Sequence, residues 1–95
     1  MEESRPKFQK YIFVCENERP EGACCGRAGV HLRELLKTGA KERGLAGRIR
    51  VSRSGCLDVC NEGPNVLLMP DAIWFKRVSE KDVPHILDRA AAGAD

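Results

Sequence analysis

The sequence predicts a small α/β domain built on a four-stranded mixed sheet, and three patterns lead there. Four short runs rich in β-branched and aromatic residues are spread along the 95 residues. A helical period separates the first run from the second, and another closes the chain. Pro70-Asp71-Ala72, between the third and fourth runs, marks a tight turn.

Lys10-Tyr11-Ile12-Phe13-Val14-Cys15 is the first strand, and it ends at the polar segment Glu16-Asn17-Glu18-Arg19-Pro20-Glu21-Gly22. From Ala28 the apolar residues Ala28, Leu32, Leu35 and Leu36 follow one helical face, with Gly39 and Gly44 bracketing the expected end. Lys37, Lys41 and Arg43 near that end suit the negative pole of the helix dipole. The alternating stretch Arg48–Arg53 is the second strand. Asn65–Met69 and Ile73–Val78 form a hairpin around the proline turn. Ser79-Glu80-Lys81-Asp82 has the form of a capping box with Asp as its last member, and it opens a helix whose apolar face is Val83, Ile86, Leu87 and Ala90. Pro84 is expected just beyond the first turn, with a slight bend.

The order β–α–β–β–β–α is a thioredoxin-like arrangement, in which two main helices flank the sheet, read here as one on each side. A strand–helix–strand unit makes the first two strands parallel through a right-handed crossover. Their C-terminal ends then share an edge, and the crevice outside such ends is where open α/β sheets bind ligands. Residues 1–8 are expected as a flexible N-terminus, 9–91 as a single domain and 92–95 as a flexible tail.

A domain of this size buries somewhat more than about 60% of the surface its unfolded chain exposes, so a bound cofactor adds useful stability. With 42% apolar and 32% charged residues the composition is that of a folded soluble chain. Sixteen Lys and Arg against fourteen Asp and Glu, no dense basic run and few aromatics give nucleic-acid binding little support. No apolar run approaches the roughly 20 residues that span a bilayer, and the N-terminus lacks an apolar signal core, so the expectation is a cytoplasmic protein without a membrane partner.

Five cysteines in a reducing cytosol, an odd number gathered at two places, point to metal or catalysis before a disulfide framework. Cys15 with Cys24 or Cys25 makes one pair, Cys56 with Cys60 the other, and each pair follows a predicted parallel strand. All four thiols can therefore meet at one sheet edge. Four soft anionic ligands on adjacent loops suit an iron–sulfur cluster, and Gly22, Gly26, Gly29, Gly55 and Gly63 let backbone approach it. Zinc also accepts four thiolates, but its ribbons more often separate paired cysteines by two residues, against three and eight or nine here. A thiol–disulfide oxidoreductase using Cys56 and Cys60 is the other alternative, although that chemistry typically uses Cys-x-x-Cys at a helix N-terminus.

The segments Phe13-Val14-Cys15-Glu16-Asn17-Glu18-Arg19-Pro20-Glu21-Gly22, Cys25-Gly26-Arg27-Ala28-Gly29 and Gly55-Cys56-Leu57-Asp58-Val59-Cys60, with Gly63-Pro64 after them, resemble the ligand segments of the thioredoxin-like [2Fe-2S] ferredoxin family. The hairpin Met69–Phe75 is similar too, with Ala72 where the family usually has glycine. The loop from Cys15 to Cys25 is a few residues shorter than usual, and Cys24 stands where serine is common. The resemblance covers about Tyr11 to Leu87 and implies a one-electron carrier, not an enzyme, holding a [2Fe-2S] cluster through Cys15, Cys25, Cys56 and Cys60. It further implies redox partner proteins and leaves open whether the chain acts alone or as a homodimer.

The remaining candidates are weighed against plainer roles. His31 and His85 fall on predicted helices away from the cysteines and are expected to be solvated or packing residues. Trp74 and Phe75 must point to opposite faces of their strand, one inward and one partly exposed. Glu16, Glu18, Glu21, Asp58 and Glu62 form an acidic rim around the expected site, serving either partner docking or solvation alone.

Overall fold

The first strand, β1 (Lys10–Cys15), buries Ile12 and Val14 completely, and the second, β2 (Ile49–Ser54), lies parallel to it with Ile49 and Val51 on the same face. The computed structural model describes residues 1–16, 26–54 and 64–92, with the backbone alone for residues 26 and 27. Helix α1 (Gly26–Glu42) makes the crossover between the two strands. Strands β3 (Val66–Met69) and β4 (Ile73–Phe75) form the hairpin, β3 running antiparallel to β1, and the sheet order is β2-β1-β3-β4. Helix α2 (Val83–Ala91) closes the fold.

Both helices pack on one face of the sheet, which corrects the expectation of one on each side. Leu32 and Leu36 of α1 and Val83, Ile86, Leu87 and Ala90 of α2 share a single core with Ile12, Val14, Val51, Val66 and Leu68. The two helices also touch each other. A Cβ built on Gly39 would come within 2.5 Å of Leu87 Cδ1, so Gly39 lies inside α1 as a point of close helix approach, not as its end. The opposite sheet face carries Tyr11, Phe13 and Leu67, all half-buried, with the more exposed Met69 and Trp74. Phe8, Tyr11 and Phe13 form an aromatic row on it, with ring centroids 5.9 and 6.0 Å apart.

The helix ends follow from local chemistry. Gly44 adopts a φ of 72°, its N–H donates to the Lys41 carbonyl, and the Leu45 N–H reaches back to the Ala40 carbonyl at 2.8 Å. Paired bonds of this kind satisfy carbonyls that a helix end leaves open, and they bury Leu45 as the chain turns away. Ala28, expected on the inner face of α1, is exposed, and Gly29 takes the inner place. Before α2, the Asp82 carboxylate accepts from the Ser79 backbone N–H at 2.8 Å and from its hydroxyl at 3.1 Å, around a 3₁₀ turn over Glu80–Asp82. Because α2 itself starts at Val83, Pro84 falls within its first turn, where the missing N–H has no helical partner to lose. That position replaces the expected bend.

The hairpin turn is tied to the first strand by Lys10, whose buried ammonium donates to both Asp71 oxygens at 2.5 and 2.7 Å. The Met69–Pro70 peptide is cis. Residues 1–6 carry no regular structure, and order begins where the Gln9 N–H meets the Arg48 carbonyl. No helix among the described residues is long and apolar enough to cross a membrane.

Candidate metal centre

Cys15 ends β1 with no exposed surface, directly opposite Ser54 at the end of β2. Its backbone N–H donates to the Asn65 carbonyl at 3.1 Å, and the next N–H, that of Glu16, donates to the Ser54 carbonyl at 3.3 Å. The ends of β1 and β2 and the start of β3 are thus joined at one edge, as the parallel crossover requires.

Helix α1 arrives at the same place. A Cβ on Gly29 would sit 1.9 Å from the Cys15 carbonyl oxygen and 3.3 Å from the Glu16 Cα, closer than any side chain permits. Glycine at this position is what lets the first turns of α1 rest on the strand end. One turn further on, Arg33 Nε donates to Glu16 Oε2. The Glu16 side chain is only 8% exposed, so it is not part of a solvated acidic rim, and this corrects the expectation for that residue.

On the far side of Cys15, the buried Asn65 accepts at Oδ1 from Trp74 Nε1 at 3.1 Å. Trp74 is 37% exposed and Phe75 packs half-buried against the core, the split between faces that their strand dictates. Both histidines meet other groups. Exposed His31 meets Glu80, and His85 stands edge-on to Phe75 at 6.2 Å.

Cys15 is a free thiol. The other expected ligands, Cys25, Cys56 and Cys60, together with Cys24 and the rim residues Glu18, Glu21, Asp58 and Glu62, lie outside the described residues. Among the described residues no three His, Cys, Asp or Glu groups gather as a metal site. What is described is the set of anchors. Glu16, which precedes residues 17–25, and Ser54 and Asn65, which flank the segment holding residues 55–63, all lie at the edge where Cys15 is buried.

No family model matches the chain. It is similar to a 2Fe-2S ferredoxin of Clostridium pasteurianum, with 29% identity over 82 residues that cover 82% of this chain and 80% of the relative. A 2Fe-2S ferredoxin of Aquifex aeolicus is 26% identical over 91 residues, covering 90% and 82%. The crystal structure of the wild-type thioredoxin-like [2Fe-2S] ferredoxin from Aquifex aeolicus superimposes with a TM-score of 0.78 at 26% identity, over 95% of this chain and 91% of that one. The chain is similar in sequence and in fold to the thioredoxin-like [2Fe-2S] ferredoxins.

The residues described at this edge suit a cluster. The donor there is a soft sulfur, fully buried, on a backbone whose hydrogen bonds are already taken by neighbouring strands. The chemistry of that donor fits iron. Sequence reasoning treated Gly29 as one of several glycines near a cofactor and passed over Arg33. The signal for both was their spacing of four, which puts them on one face of α1 toward the strand end.

Proposed function

We propose that this protein carries single electrons on a [2Fe-2S] cluster ligated by Cys15, Cys25, Cys56 and Cys60. The observation that carries the reading is the meeting, at the buried Cys15, of both chain segments' anchors: Ser54 and Asn65 bond to the Cys15–Glu16 backbone and Gly29 touches it. Cys25 directly precedes the first residue of α1 in sequence, and α1 rests on the Cys15 strand end through Gly29. Cys56 follows Ser54 by two residues and Cys60 by six, within easy reach of the same edge.

The cluster, when bound, supplies a reversible one-electron couple. The protein's own residues do the rest. Burial of Cys15 excludes water from its sulfur, and the sheet fixes its backbone before any metal arrives. The protein is an electron carrier without substrate chemistry of its own, and its counterparts are redox proteins. Residues 9–91 serve as the single functional domain, in the cytoplasm, where the thiols stay reduced. The acidic residues Glu18, Glu21, Asp58 and Glu62 favour a partner with a basic face, and electron transfer that slows as salt rises tests this.

The open sheet face supports a homodimer. Tyr11, Phe13, Leu67, Met69 and Trp74 present apolar surface across three strands on the face away from the helices. Two copies meeting through this face cover the same residues on each side. Sedimentation of the native protein beside Met69→Lys checks it, a dimer dissociating in the variant being the expected result. Iron and acid-labile sulfide analysis on anaerobically purified protein tests the cluster itself, with about two of each per chain expected.

A further inference from the structure

We propose that the Glu16–Arg33 ion pair positions the first ligand segment and, through two compensating charges, sets the reduction potential of the cluster beside it. The inference rests on Cys15 being a ligand, as proposed above. Glu16 is the residue after Cys15, and its carboxylate is 8% exposed, while the Arg33 side chain is 27% exposed. Both charges are therefore held largely out of water. Arg33 stands one turn beyond Gly29, the point where α1 touches the Cys15 carbonyl. Strand end, carboxylate, guanidinium and helix form a closed ring of contacts, in which each charge is the other's partner among the described residues.

Such a pair does two things. It fixes the direction in which the chain leaves Cys15, because a largely buried carboxylate paired with a guanidinium has few other places to go. It also puts a cation and an anion close to a centre that becomes more negative when reduced. The guanidinium favours the reduced state and the carboxylate the oxidised one, and partial burial strengthens both effects by lowering the effective dielectric. Charges and hydrogen bonds just outside the ligands are among the features that tune iron–sulfur potentials.

Spectroelectrochemical titration of the anaerobic holoprotein tests this in Glu16→Gln, Arg33→Gln and the double variant, with iron and sulfide content measured on each. The expected result is a shift to higher potential for Glu16→Gln, a shift to lower potential for Arg33→Gln, and a double variant between them. Iron release to a chelator from the oxidised protein is expected to be faster in each single variant than in the double variant, where no charge is left buried alone. Arg33→Lys guards against a single variant that fails to assemble, since it keeps the charge but not the planar fork. It should hold its potential near the native value while releasing iron faster. Native potentials in every variant with cluster content intact overturn the inference and leave the ligand reading standing, and equal shifts of both single variants in the same direction overturn it as a mere loosening of the site. A native protein that assembles no iron and sulfide overturns the ligand reading, and this inference falls with it.

Discussion

Cys15 and Ser54 face each other across the parallel β1–β2 pair, so the two strands that precede the cysteine segments end at the same level. The relationship follows from the crossover alone, because a strand–helix–strand unit makes the two strand directions agree. It turns a spacing in sequence into a meeting place in space. Cys15 and the residue from which the second cysteine segment departs, Ser54, reach one edge although 39 residues apart in sequence.

Cys24 and Cys25 are adjacent in sequence, and the proposed cluster takes one of them as a ligand. Cys25 is the proposed ligand, since Gly26 and Gly29 follow it and α1 begins immediately after. Cys24→Ser should leave the visible spectrum nearly unchanged, whereas Cys25→Ser should shift it or lose the cluster, because a hydroxyl is a poor donor to iron. The reverse pattern reassigns the ligand.

Gly29 and Gly39 both lie inside α1, but their neighbours differ in kind. A methyl on Gly29 collides with the Cys15 backbone, which cannot move without shifting the strand end. Gly29→Ala should destabilise the fold by about 3 kcal/mol and reduce its iron content. A methyl on Gly39 meets the tip of Leu87, a flexible side chain. Gly39→Ala trades that contact against a helix-propensity gain of about 1 kcal/mol, so chemical denaturation should place it within about 1 kcal/mol of the native protein.

Ala72 sits at a φ of 59°, where a Cβ crowds the following carbonyl. Ala72→Gly removes a penalty of about 1–2 kcal/mol and returns part of it as unfolded-chain entropy, leaving a net gain of about 0.5–1 kcal/mol. Thermal unfolding should rise by about 4 °C. A lower midpoint would mean that the methyl packs usefully against the hairpin.

Hydrogen bonding from Lys10 holds the Asp71 carboxyl below the ordinary 3.8; burial opposes it as the next largest effect, and the Lys10 charge adds a smaller lowering. A lowered carboxyl stabilises the fold above its ordinary pKa, and that contribution is lost as pH falls from near 3.8 through the lowered value. Asp71→Asn should melt at lower temperature than the native protein at pH 7, since the buried Lys10 ammonium loses its partner. The difference should shrink as the buffer is taken below pH 3.8. A constant difference across that range contradicts the pairing.

Much of this architecture was legible because short-range patterns settle it. Alternation gave β2, the Ser79–Asp82 spacing gave the start of the last helix, and Gly44 supplied the left-handed residue that ends α1. The placement of both helices on one face was not legible, and β1 explains why. Tyr11 and Phe13 are as apolar as Ile12 and Val14, so the strand reads as buried on both sides, whereas the helices cover only the second pair. Gly39 read as a helix end because its reason for being glycine, Leu87, lies 48 residues away in sequence. The Glu16–Arg33 pair was hidden likewise, its partners being separated by the cysteine segment itself. Cys15 was easy to place, since it closes the apolar run that forms β1.

A reductive titration of the anaerobically purified protein, followed by visible absorption and metal analysis, tests the central claim most directly. The account predicts a red-brown protein whose visible bands bleach with the uptake of one electron per two irons. Stoichiometric zinc with no visible band, or two electrons taken up by a Cys56–Cys60 disulfide in a colourless protein, would contradict it.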